Sequence, residues 1–178
     1  MNDLNIIFSG PAGAGKTTAI GAISGITPPT TDVMAGDTPP SREAGASVAM
    51  DYSMLELGNE EHIHFYGAPD QEGFDFMRDA LSHGGIGLVL LLSNTRPDPF
   101  QDLQCFLDTA KDFTTDPKIV IGVTQMDLSN TPTLDDYHRQ LENNGAKRPI
   151  FEVDARVKRD VSLLVEALLY TLDPGLDG

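Results

Sequence analysis

Gly10-Pro11-Ala12-Gly13-Ala14-Gly15-Lys16-Thr17 is the stretch on which the fold of this chain turns. Two glycines stand five positions apart, followed at once by a lysine and a hydroxyl residue. Leu4 to Phe8 before it is an apolar run of strand length, and Thr17-Thr18-Ala19-Ile20-Gly21-Ala22-Ile23 after it reads as a helix. Strand, glycine loop and helix in that order form a phosphate cradle. Glycines let main-chain N–H groups turn inward around phosphate oxygens, and the helix N-terminus adds partial positive charge. Gly10, Gly13, Ala14, Gly15 and Thr18 are therefore expected around nucleotide phosphates. Lys16 is expected to reach the β and γ phosphates, and the Thr17 hydroxyl to ligate Mg²⁺. The plain alternative is a glycine-rich turn that binds nothing; the register of all five features argues against it.

A chain of 178 residues suits one domain spanning 1–178. Hydrophobic residues at 40% and charged residues at 22% are ordinary globular values, so wholesale disorder is not expected. A formal charge of −15 argues against nucleic acid or an anionic membrane surface as a direct partner. The longest apolar run, Ile86 to Leu92, is too short to cross a bilayer, and no secretory signal pattern opens the chain. The lone cysteine, Cys105, excludes an internal disulfide and fits a reducing compartment. It falls off the helix face that Phe100, Leu103, Phe106, Leu107 and Ala110 define. A cytoplasmic protein with no direct membrane insertion is expected.

Strand-length apolar stretches alternate with helical patterns along the chain. Val48 to Leu57 and His62 to Tyr66 predict two strands joined by a turn at Gly58-Asn59-Glu60. Phe74, Met77 and Leu81 mark an amphipathic helix. Ile86 to Leu92 is a continuous apolar strand, as expected where both faces are covered. A helix from Pro99 to Ala110 and a strand from Lys118 to Val123 follow. Thr133 and Asp136 form a capping box that opens a helix carrying Leu134, Tyr137 and Leu141, stopped by Gly145. Pro149 to Val153 reads as a last short strand, and Val161, Leu164, Val165, Leu168 and Leu172 as a final helical stripe. The alternation predicts an α/β, doubly wound, mostly parallel six-stranded sheet with flanking helices and one local hairpin. In such sheets ligands sit at the carboxyl ends of the strands. Thr27 to Ala46, with four prolines and no periodicity, is a loop of a length that is usually functional.

Selection of the base needs a further group. The strand ending at Val123 leads into Thr124-Gln125-Met126-Asp127. A carboxylate there can accept two hydrogen bonds from guanine N1–H and N2–H₂. Adenine lacks that donor pair and would leave the carboxylate unpaired, at a cost of about 1–3 kcal/mol. Asp154-Ala155-Arg156 follows the next strand, where a main-chain N–H is available to the guanine carbonyl. The plain reading of Asp127 is a solvated or turn-starting aspartate.

With these residues in place the chain resembles a Ras-like bacterial small GTPase of the roadblock-associated branch, similar to gliding-motility switch GTPases. Gly10 to Thr17, Ser47-Val48-Ala49-Met50-Asp51-Tyr52, Tyr66-Gly67-Ala68-Pro69-Asp70-Gln71-Glu72, Thr124 to Asp127 and Asp154-Ala155-Arg156 carry the likeness. It implies a P-loop NTPase fold of small-GTPase type, with GTP or GDP and Mg²⁺ as ligands and a roadblock-type regulatory protein as partner. It also implies recruitment to a membrane through such a partner. By resemblance Asp127 is the guanine-reading carboxylate, Ala155 supplies the N–H to the base, Gln71 positions the attacking water, and Ser47 ligates Mg²⁺. Gln125 stands where the family usually has a lysine lying along the base. Thr124 replaces an asparagine, which predicts weaker bracing of the loop.

Other departures bear on hydrolysis. Gly67 stands where many small GTPases hold the Mg²⁺ shell with an aspartate, and Asp70 where a glycine N–H meets the γ-phosphate. A carboxylate about 4 Å from a phosphate charge costs on the order of 4 kcal/mol at an effective dielectric near 20. Gly45-Ala46-Ser47 replaces a threonine run. Slow or partner-dependent GTP hydrolysis is therefore expected, with Arg42 a candidate internal arginine whose plainer reading is a solvated loop residue. Two other readings stay open: a non-hydrolysing nucleotide-bound interaction module, and a P-loop kinase of a small molecule. The kinase reading lacks a clear arginine-rich lid. His62 and His64 share a strand face but have no third ligand at fitting spacing. Asp135-Asp136 reads as a solvated helix start.

Overall fold

The computed structural model describes residues 4–24, 51–58, 61–67, 86–113, 118–143, 145 and 147–172. The glycine-rich stretch is flanked as its sequence predicts, by strand β1 (Leu4–Ser9) and helix α1 (Lys16–Ser24). Strands β2 (Asp51–Gly58) and β3 (Glu61–Gly67) pair antiparallel as the expected hairpin. There follow β4 (Ile86–Ser93), helix α2 (Pro99–Phe113), β5 (Ile119–Thr124), helix α3 (Leu134–Asn143), β6 (Ile150–Glu152) and helix α4 (Lys158–Leu172). The helix predicted around Phe74, the loop from Thr27 to Ala46 and the start of the predicted strand at Val48 lie outside the described residues.

The strands form one six-stranded sheet in the order β2-β3-β1-β4-β5-β6, with every pair parallel except β2 with β3. The period of two sends alternate side chains to opposite faces. On β4, Leu88, Leu90 and Leu92 enter one core with Leu103, Phe106 and Leu107 of α2 and Tyr137 and Leu141 of α3. Val89 and Leu91 enter the other core, with Ile20 and Ile23 of α1 and Leu164 and Leu168 of α4. All five β4 side chains are fully buried, each worth about 1.5–3 kcal/mol of transfer energy. That explains the unbroken apolar run. Gly87 and Gly122 leave the room that α4 fills: a β-carbon would stand 2.5 Å from a methyl of Leu168 or 2.8 Å from one of Leu164.

Helix starts follow their capping residues. Asp98 Oδ1 accepts the Gln101 amide at 3.0 Å just before Pro99. For α3, the Thr133 amide donates to Asp136 Oδ2 at 2.8 Å and the Asp136 amide to the Thr133 hydroxyl at 3.3 Å. Gly145 ends that segment at φ 68°, its amide donating to Glu142 O at 3.0 Å. Several boundaries shift by a residue or more, two of them with a clear cause. Helix α2 runs past Ala110 to Phe113, because intrahelical bonding continues where the apolar stripe has stopped. Strand β6 begins at Ile150, since Pro149 has no amide to give the ladder, although its carbonyl accepts from Ile121 at 2.9 Å.

The parallel register decides where function can sit. Ser9 lies beside Leu90, Ser93 beside Thr124 and Val123 beside Glu152. The loops after β1, β4, β5 and β6 are thereby gathered at one edge of the sheet. Among the described residues no helix is long and apolar enough to cross a membrane. Cys105 is exposed, as its position off the apolar face of α2 predicts.

Candidate functional site

The glycine loop leaves β1 pressed against the sheet. Gly10 has φ 144°, and a β-carbon there would lie 2.0 Å from the carbonyl oxygen of Leu91. Only glycine fits both that dihedral and that contact. The chain then turns, with the Ala14 amide donating to Pro11 O at 3.2 Å, and α1 opens as the Ala19 amide donates to Gly15 O at 2.8 Å. Lys16 is buried, and its ammonium donates to Gly10 O at 2.6 Å across the loop. Thr17 and Thr18 are exposed on the first turn of α1. A buried cation and two exposed hydroxyl residues thus occupy the first turn of α1, a combination suited to an anion.

A second wall comes from the end of β5. Thr124 is buried, and its hydroxyl donates to Ala14 O at 2.8 Å, with Leu92 O at 3.2 Å. At the position where the resemblance expects an asparagine, this hydroxyl ties β5 to the glycine loop. Gln125 adopts φ 61°, a sparsely populated conformation for a side-chain-bearing residue. Its amide accounts for this. Nε2 donates to Gly13 O at 3.2 Å, while Oε1 accepts from Thr95 Oγ1 at 3.0 Å and from the Ser93 hydroxyl. Gln125 therefore joins three loops. Asp127 and Leu128 follow, both exposed, in a turn closed by the Leu128 amide donating to Gln125 O at 3.1 Å.

The third wall follows β6. Ala155 is buried against the glycine loop: a β-carbon on Gly15 would stand 2.9 Å from its own. Asp154 is gripped by Arg156, whose Nε and amide both donate to Oδ1 at 2.9 Å and whose other nitrogen donates to Oδ2 at 2.7 Å. The side-chain fork first, and the amide second, hold the Asp154 carboxyl down at about 2. The same fork raises Arg156 above its ordinary value, and the charge of Asp127 adds to it.

These walls enclose a cleft of about 240 Å³. Of the residues expected from sequence, Ala14, Gly15, Thr18, Gln125, Asp127 and Ala155 line it. Gly10, Gly13, Lys16 and Thr17 belong to the same loop and first helical turn just beside it. Ser47, Gln71, Asp70 and Arg42 lie outside the described residues. Gly67 closes β3 as a buried residue, in register with Phe8.

Leu128 also lines the cleft with no role expected from sequence, as do the side chains of Asp154 and Arg156, which the sequence marked only as flanking Ala155. Nor did it assign Ser93 and Thr95, which hold Gln125. The Asp-x-Arg spacing was a usable signal for the fork. Single hydroxyls after β4 had none. Among the described residues no three His, Cys, Asp or Glu side chains cluster to hold a metal. The His62 and His64 rings stand 6.3 Å apart, and His64 stacks on Tyr66 at 6.5 Å. No protein-family model matches this chain, and no curated protein matches it.

Proposed function

We propose that this chain is a guanine-nucleotide-binding regulatory protein of small-GTPase type, cycling between GTP and GDP with slow or partner-dependent hydrolysis. One observation carries the reading: a single cleft is lined by the phosphate loop and by Asp127 together. Register brings the segments after β5 and β6 to the glycine loop; what supports guanine is the carboxylate that this convergence sets in the cleft. The loop and Lys16 would hold the phosphates, with the first turn of α1 supplying partial positive charge. Asp127 would accept the paired guanine donors, and the Ala155 amide would meet the guanine carbonyl.

A Mg²⁺ ion fits the donors at the loop in one respect: the Thr17 hydroxyl is a hard oxygen ligand, exposed at the head of α1. Thr17, with Ser47 by resemblance, would hold the ion, which would neutralise phosphate charge. A roadblock-type partner and a cytoplasmic location accompany this reading by resemblance.

Competition binding of GTP, GDP and ATP to the purified protein, with and without Mg²⁺, tests the proposal. A guanine preference of about tenfold or more, equivalent to about 1.4 kcal/mol, is expected. Lys16→Ala should abolish binding of all three. Equal affinity for ATP would remove the role given to Asp127. A second reading, a non-hydrolysing module that keeps nucleotide as a structural ligand, is favoured by Gly67 standing at the end of β3 without a carboxylate. It predicts equal affinity for GDP and GTP and no single-turnover phosphate release.

A further inference from the structure

Asn94, immediately after β4, is only 2% exposed, yet it touches neither Asp127 nor the phosphate loop through its side chain. Its Nδ2 donates to Ser129 O at 2.7 Å and to Pro132 O at 3.0 Å. Its Oδ1 accepts the Tyr137 hydroxyl at 2.7 Å, and its amide donates to Thr124 O at 3.0 Å. One residue thus holds both ends of the segment 125–133, on which Asp127 and Leu128 ride. That segment has no helix or strand of its own. Asp127 and Leu128 are exposed, so packing does not fix them. Beneath them Gln125 anchors the start of the segment, and the Ser129 and Pro132 carbonyls tie its later part to the buried Asn94 amide.

Tyr137 sets that amide. Its ring is fully buried and meets Phe100 edge-on at 5.1 Å, so its hydroxyl has a fixed direction. A hydroxyl donor on one side and two carbonyl acceptors on the other allow one orientation of the Asn94 side chain.

We infer that Asn94, oriented by Tyr137, is a positioning residue for base selection: it holds the segment 125–133 so that the Asp127 carboxylate stands at the cleft. The inference rests on the guanine-nucleotide reading above. A paired hydrogen-bond acceptor discriminates only when it is held in place, and a displacement of about 1 Å is costly. Phosphate binding draws on Gly10–Thr17, which the segment meets through the Gln125 amide at Gly13 O and not through the Asn94 side chain. Loss of Asn94 should therefore weaken guanine nucleotides selectively and leave adenine nucleotides, held by phosphates alone, nearly unchanged.

The experiment compares dissociation constants for GDP and ADP in wild type, Asn94→Ser, Tyr137→Phe and Leu107→Ala. Leu107 is a buried α2 residue that makes the control for a core truncation outside the segment. Asn94→Ser should lower the guanine-over-adenine ratio by about tenfold or more, with ADP affinity within about twofold of wild type. Tyr137→Phe, which keeps the ring, should lower the ratio in the same direction, and Leu107→Ala should leave it unchanged. A wild-type preference that survives both Asn94→Ser and Tyr137→Phe overturns the inference alone. If Asn94→Ser does not fold, an unchanged ratio in Tyr137→Phe overturns it. Absence of any guanine preference in wild type overturns the reading of the cleft and this inference with it.

Discussion

The Thr124 hydroxyl donates to the carbonyl of Ala14 at 2.8 Å, joining the end of β5 to the glycine loop across 110 positions of chain. Both groups are buried, so the bond has no water to replace it. Thr124→Val keeps the shape and removes the donor. The variant should lose about 1–3 kcal/mol, read as a lowered urea midpoint with unchanged slope, and Thr124→Ser should recover most of it.

The glycines of the loop are not equivalent. At Gly10 a β-carbon meets backbone at 2.0 Å, whereas at Gly13, φ 79°, nothing lies within 4 Å. Gly13→Ala should therefore cost only the dihedral strain, about 1–3 kcal/mol, and remain folded. Gly10→Ala must push the loop off β4 and should fail to yield a cooperatively unfolding protein in a thermal melt.

Asp154 gives a prediction in pH. Its folded-state value, about 2, lies below the ordinary aspartate value because Arg156 bonds the charged form. Its contribution is thus present above about pH 4 and is lost as pH falls through 2. Carboxyl-carbon NMR titration should place wild-type Asp154 near 2 and show a clear upward move in Arg156→Ala, incomplete because the amide of residue 156 still donates. The pair is exposed, so the change in stability should be small.

Helix α3 presents Tyr137 to Asn94 only while its first turn is held. Removing the Thr133 hydroxyl from the capping box should cost about 1 kcal/mol in Thr133→Ala, measured by denaturant unfolding. The Asp136 carboxyl, lowered chiefly by the Thr133 amide, should stay below its ordinary value in that variant because the amide remains.

Much of the architecture was legible from residues close together in the chain. The loop Gly10–Thr17, the apolar run of β4, the Thr133–Asp136 box and the Gly145 stop each rest on a local rule: a dihedral, a side-chain period or a bond three residues long. The positions of Asp127 and Ala155 after β5 and β6 followed from the strand pattern as well, and the ends of parallel strands are where ligands meet such sheets. The convergence of those residues on one cleft follows from the same rule, since register aligns strand ends.

The supporting bonds were not legible. Ser93 and Thr95 with Gln125, Asn94 with Tyr137, and Ala155 against Gly15 pair residues that are 30 or more positions apart. A lone serine, threonine or asparagine after a strand has many possible partners, and its local sequence favours none of them. Its partner is chosen when the sheet register brings Ser93 beside Thr124 and when buried polar groups must find donors or acceptors away from water. Short-range sterics and periodicity thus decided which elements form; close packing and the exclusion of solvent decided which side chains hold the cleft in shape.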